Sequence, residues 1–190
     1  MVSPALLDSY LDKPIGQICL SGYNSANDNH CAHFVSHVLG LGFGLTCAAM
    51  GSRAGRPLRG ANIRVQEVFA NCPEANQLNE CSQALPAGLI VVSEARHFIS
   101  RPGVVNDARN LMSRLGRVHQ IRNVPAKHIG IYCNGTVWHY SNSRSKVVKQ
   151  DLAGFIHHYP RTAGTNALWW ASFPPGTNPR TFGVCVAEHA

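Results

Sequence analysis

Residues 128–141 read HIGIYCNGTVWHYS, and the two residues at the middle of this stretch decide the fold. Asn134-Gly135 is the dipeptide that best suits a two-residue type I′ turn, because both central positions of that turn require positive φ. With the turn there, Cys133 opposes Thr136, Tyr132 opposes Val137, Ile131 opposes Trp138, Gly130 opposes His139 and His128 opposes Ser141. Side chains alternate along a strand. Ile129, Ile131, Cys133, Trp138 and Tyr140 then share a core face, while His128, Gly130 and His139 share the other. His128 and His139 become diagonal neighbours, with Cα atoms about 7–8 Å apart and rings able to meet. Gly130 leaves room for them. A base with its orienting partner has this arrangement, and so do two unrelated surface histidines.

Upstream, residues 27–40 read NDNHCAHFVSHVLG. Cys31, Phe34, Val35, Val38 and Leu39 follow the i, i+3, i+4, i+7 rule of an amphipathic helix. Asn27, Asp28 or Asn29 can cap it and Gly40 can end it. Cys31 falls at about the second or third helical position, where the helix terminus and a nearby imidazole can both lower a thiol pKa. The residues therefore suggest a nucleophile, Cys31, a general base, His128, and a third residue, His139, that fixes the imidazole tautomer. The Cys31 backbone amide would help to hold the oxyanion.

The remaining segments fill in an α+β chain. A short helix is expected around PALLDSYL, another in IRVQEVFANC, and a buried strand in ALPAGLIVVS (84–93). NDARNLMSRLG (106–116) carries Ala108, Leu111, Met112 and Leu115 on one helical stripe. QDLAGFIHHY reads as a helix and ALWWASF as a strand. Helices come first and a largely antiparallel sheet follows, within one domain spanning 1–190.

The 190 residues hold 17 Lys plus Arg against 10 Asp plus Glu, a formal charge of +7. That balance favours acidic partners: nucleic acid, anionic lipid or an anionic cell-wall polymer. No RNP-like, zinc-finger or helix-turn-helix signature accompanies it, which argues against nucleic acid. No apolar run approaches the roughly 18 residues of a membrane helix, and the opening residues lack the pattern of a secretory leader. Synthesis in the cytoplasm is the expectation. The segment 94–127 is strongly basic, with Arg96, Arg101, Arg109, Arg114, Arg117, Arg122 and Lys127 against Glu94 and Asp107. A solvated basic face is its simplest reading; a groove for an anionic substrate or a docked partner is the other.

Seven cysteines are present and none forms a CxxC pair. Cys72 and Cys81 bracket a loop and make the best local bridge, although buried reduced thiols fit a cytoplasmic chain better. His30, His33 and His37 lie on one stripe of the Cys31 helix and with Cys31 suggest a metal site. There is no HExxH and carboxylates are scarce, so partly exposed polar histidines are preferred and no metal or cofactor is expected.

Taken in order, NHCAHFV, LPAGLIVVS and HIGIYCNGTVWHYS resemble the NlpC/P60 and CHAP group of papain-like cysteine peptidases. The resemblance implies a papain-like fold with the nucleophile at a helix N-terminus packed on an antiparallel sheet. It implies Cys31 as nucleophile, His128 as base and His139 as third residue, with Tyr23 and Asn29 near the oxyanion site. It further implies cofactor-free cleavage of amide bonds in peptidoglycan stem peptides. PAGL lacks the family's Asp after Gly, and about 35 residues separate LIVVS from HIGIY, more than a minimal member needs. Lacking a leader and a second wall-binding domain, the chain resembles injected type VI secretion amidase effectors slightly more than phage lysins. Such an effector acts in the periplasm or cell wall of a target bacterium and has a cognate immunity protein. Two other readings remain: a toxin using the same thiol on protein amides, and a basic, non-enzymatic nucleic-acid-binding protein.

Overall fold

The computed structural model describes residues 1–50, 60–78, 85–105, 114–124, 126–157 and 166–182. Five short helices come first: α1 (Pro4–Asp8), α2 (Ile15–Ile18), α3 (Cys31–Leu39), α4 (Cys47–Met50) and α5 (Val65–Ala70). Strands β1 (Ala75–Leu78), β2 (Gly88–Glu94), β3 (Phe98–Val105), β4 (Arg114–Ile121), β5 (Lys127–Cys133), β6 (Thr136–Ser141) and β7 (Lys146–Asp151) follow. Helix α6 (Leu152–Ile156) and strand β8 (Asn166–Ala171) complete the described elements. The main sheet is antiparallel, in the order β1-β8-β2-β5-β6-β7, and β3 pairs with β4 in a separate hairpin. The class is α+β.

The β5–β6 hairpin forms as its turn dipeptide requires. Asn134 and Gly135 have φ of 49° and 80°, and Cys133, Tyr132 and Ile131 pair with Thr136, Val137 and Trp138. Beyond Ile131 the two strands stop pairing, so the expected partners Gly130–His139 and His128–Ser141 are not ladder pairs. β2 is buried along its whole length, and so is β5. Both faces of this sheet therefore need covers.

One face carries Leu89, Val91, Ile129, Ile131, Trp138, Tyr140 and Trp169, packed against Leu7, Phe34, Val35, Val38, Val68 and Phe69 from α1, α3 and α5. The other carries Ile90, Val92, Tyr132, Val137, Leu168 and Trp170, packed against Leu152 and Phe155 of α6. Asp151 caps α6 by accepting the Gly154 N–H at 2.7 Å, the role short acceptor side chains take at helix starts. On the first face α1 is tied down by Asp8, which accepts Trp138 Nε1–H at 2.9 Å and Lys149 Nζ at 3.0 Å. The Lys149 ammonium, then the Trp138 bond, holds the Asp8 carboxyl below its usual range.

Among the described helices α3 is the most completely enclosed. Eight of its nine residues are buried, His37 being the half-buried exception. Gly40 closes it at φ 69°, and Leu41 N–H returns to Ser36 C=O at 2.9 Å, the left-handed stop that glycine favours. The carbonyls of Val38 and Leu39 receive N–H groups of Arg180 and Asn178, each at 2.8 Å. Those two carbonyls would otherwise have no intrahelical partner.

The basic segment 94–127 differs from its expectation. Arg114–Gly116, read as the end of a helix, belong to β4, and residues 106–113 lie outside the described residues. The segment folds as the short 3-10 turn Ala95–His97 and the β3–β4 hairpin, whose register runs from Phe98–Ile121 to Val105–Arg114. Lys127 at its end is buried, not solvated.

At Gly130 an added methyl would meet Val137 Cγ1 at 2.5 Å and Trp138 O at 3.0 Å. Overpacking of this kind costs about 1–3 kcal/mol. Gly130→Ala is expected to lower the unfolding free energy by that margin, seen as a lower urea midpoint with the slope unchanged, read by circular dichroism.

Candidate functional site

Cys31 opens α3 as its first residue, and its side chain is 1% exposed. It lines a cleft of about 300 Å³ together with Asn29, Arg64, Gln66, Asn123 and Lys127. Asn29 Oδ1 accepts the Cys31 N–H at 3.1 Å. That interaction fixes the chain on entry to the helix, and it also engages the amide expected to serve an oxyanion. Burial pushes the thiol up to about 11, against the backbone N–H groups of Ile129 and Ala32 and the charge of Lys127, all of which favour the thiolate.

Lys127 begins β5 and turns the same way as Ile129, towards Cys31. Its Nζ donates to Val124 O at 2.6 Å and to Asn123 Oδ1 at 3.3 Å. Burial lowers its pKa; the Cys31 charge works in the opposite direction and nearby Arg64 adds to the lowering. The cleft thus unites a thiol, an amine and a guanidinium, two of them on the same side of a sheet strand and a helix end.

His128 and His139 meet as the hairpin reading anticipated, with Nε2 of His128 and Nδ1 of His139 2.8 Å apart and ring planes at 83°. Both are fully buried, and Phe155 of α6 lies 5.3 Å and 5.2 Å from their ring centroids. They do not join Cys31. His128 pairs across the ladder with Val92, on the α6 face, whereas Ile129 pairs with Val91, on the face shared with Cys31. The geometry therefore does not assemble the Cys31–His128–His139 arrangement, because α3 packs on the Ile129 face and strand alternation aims His128 the other way. Tyr23 is also elsewhere. Its ring lies 5.2 Å from His30 and 5.4 Å from His33, beside the Cys19–Cys47–Ala61 cluster.

A second constellation lies under that tyrosine. The ligand atoms of Cys19, His33, His37 and Cys47 lie within 4.8 Å of one another. His30 and His33, expected to be partly exposed, are 1% and 0% exposed. Burial pushes His33 down to about 4, so it is neutral near pH 7. Cys47 is held low, first by the Cys19 thiol donating to it and then, against burial, by His33 and His37. The i, i+4 spacing of His33 and His37 was the visible part of this group; a stripe of His30, His33 and His37 with Cys31 was not its composition. Cys72 is a free thiol, as are Cys19, Cys31, Cys47 and Cys133; Cys81, its expected bridge partner, lies outside the described residues. Cys72 donates to Val68 O at 3.3 Å.

No family model, curated protein or solved structure matches the chain.

With the thiol raised to about 11, the reactive anion increases as pH rises, and alkylation of Cys31 by iodoacetamide should still be accelerating above pH 9. Lys127→Met removes a charge that favours the thiolate, so the rate at any fixed pH below 10 should fall. Peptide mapping of the alkylated protein gives both rates.

Proposed function

We propose that the chain is a thiol-dependent hydrolase with Cys31 as nucleophile, acting on amide bonds of an anionic substrate. Peptidoglycan stem peptides, rich in free carboxylates, are the substrate class that best suits the cleft. The observation that carries the reading is the position of Cys31: at a helix N-terminus, on the floor of a cleft that also holds Lys127 and Arg64. A helix carrying the thiol and packed on an antiparallel sheet also fits the papain-like layout that the sequence motifs imply.

In this reading Lys127 takes the place intended for His128. Burial lowers the Lys127 pKa, which eases transfer of a proton to the amine from a neighbouring nucleophile, as in serine–lysine dyads. The Cys31 sulfur attacks the amide carbonyl carbon while its proton passes to Lys127 Nζ. The same proton then moves to the leaving amine as the C–N bond breaks, leaving a thioester that water hydrolyses. Arg64 is placed to pair with a substrate carboxylate, where a planar guanidinium binds two oxygens at once. Asn29 positions Cys31 through its backbone N–H.

Purified wild-type protein should release peptide fragments with new amine and carboxyl termini from peptidoglycan sacculi. Cys31→Ala should release none, and Lys127→Met should lose at least a hundredfold in rate, in line with the roughly 10²–10⁴ that a positioned proton acceptor contributes. His128→Gln, checked for folding by its urea midpoint, should stay within a few-fold of wild type. Release that depends on His128 and not on Lys127 would return the base to the hairpin imidazole. No release by any protein would remove peptidoglycan from the reading.

A further inference from the structure

We propose that Cys19, His33, His37 and Cys47 bind one Zn²⁺ ion in a tetrahedral site that staples α2, α3 and α4 together. The inference stands apart from the hydrolase reading, since it concerns neither Cys31 nor the cleft.

The spacing of the four atoms is the first argument. Zinc–sulfur bonds of about 2.3 Å and zinc–nitrogen bonds of about 2.0–2.1 Å give tetrahedral edges of roughly 3.8 Å for S–S, 3.6 Å for S–N and 3.3 Å for N–N. Three of the six edges are 3.6 Å between Cys19 Sγ and Cys47 Sγ, 3.8 Å between Cys47 Sγ and His37 Nε2, and 3.1 Å between the Nε2 atoms of His33 and His37, and all six are within 4.8 Å. The sulfurs are far outside the roughly 2.05 Å of a disulfide bond. Two thiols and two imidazoles around one point are the donor set of a structural zinc site, and the soft sulfurs exclude magnesium and calcium.

Proton positions supply the second argument. His30 Nε2 lies 2.8 Å from the Ser25 carbonyl oxygen, which can only accept, so that nitrogen carries a proton. Neutral His30 then presents a bare Nδ1, which faces His33 Nδ1 at 3.2 Å. His33 must therefore carry its proton on Nδ1, and its bare Nε2 is aimed at His37 Nε2 and the cluster centre. A backbone carbonyl thus fixes, through one relay imidazole, the tautomer that a metal needs from His33. Metal-ligating histidines ordinarily have their other ring nitrogen held in this way.

The sulfurs are prepared as well. Cys19 Sγ accepts the Ser21 N–H at 3.4 Å and lies 3.0 Å from the Ser21 hydroxyl. Cys47 Sγ accepts the Ala61 N–H at 3.3 Å. Such donors stabilise thiolates. On binding, any proton still held by either sulfur passes to solvent, two Zn–S and two Zn–N bonds form, and no position is left for water or substrate. Four protein ligands mark a structural site.

The test uses the full chain purified under reducing conditions without chelator. Elemental analysis should find about one zinc per chain. Removing the metal should lower the thermal midpoint by roughly 10 °C or more, since structural zinc contributes several kcal/mol to folding. Refilling with Co²⁺ should give the intense visible bands of a tetrahedral ion together with thiolate-to-metal charge transfer. Cys47→Ser and His37→Ala should each weaken metal binding at least tenfold; if they fold poorly, the Co²⁺ spectrum of the wild-type chain decides. Failure of the metal-free wild type to bind Zn²⁺ or Co²⁺ at one equivalent would overturn the proposal. A Cys19–Cys47 disulfide in the native protein would do the same.

Discussion

Strand β5 is enclosed along its whole length, and the alternation of its side chains apportions the chemistry of the molecule. Lys127, Ile129 and Ile131 turn towards the helical layer that contains Cys31; His128, Gly130 and Tyr132 turn towards α6. The period of two is rigid, and a strand paired with β2 over six residues cannot rotate to exchange its faces. Whatever approaches Cys31 from β5 therefore comes from the odd-numbered residues. That one constraint places an amine, rather than an imidazole, beside the thiol.

Much of the architecture was legible from local chemistry. Asn134-Gly135 fixed the hairpin register, Gly40 the end of α3, and the apolar run at 88–93 the buried central strand. Burial on both faces was not legible, because alternation states which residues share a face and not which faces are covered. The hairpin suggested a core face and a second, functional face. In the fold the second face is also core, because Leu152 and Phe155 cover it. The two histidines found each other, as cross-strand geometry requires, but in an apolar layer closed by α6. The Cys–His pairing failed for a related reason: nothing in either segment records which side of the sheet the helix will take.

The sulfur–histidine cluster escaped notice because its members are dispersed. Cys19 and Cys47 are 28 positions apart, with no short motif around either. His33 and His37 sit on a helix whose apolar residues already account for its burial. A histidine pair one turn apart on an otherwise apolar helix is the signal that distinguishes such a site from solvated polar residues. Charge patterning misled in the opposite sense at Lys127, which belongs to a basic segment by sequence and to the cleft by position.

The way α3 ends has a consequence for the order in which the protein can be built. Its last two carbonyls wait for Asn178 and Arg180, and Tyr10 hydroxyl for the Arg180 carbonyl, 170 positions later. The helix also packs on β5 and β6, residues about a hundred positions downstream. During synthesis from the ribosome, then, the N-terminal helical layer emerges long before the sheet and the closing segment that complete it. Non-local closure of this kind slows folding and prolongs the exposure of apolar surface. The early segment that holds Cys19, Cys31 and Cys47 must pass through that interval with its thiols accessible, so a reducing environment, or a partner for those thiols, matters most while the chain is still being made.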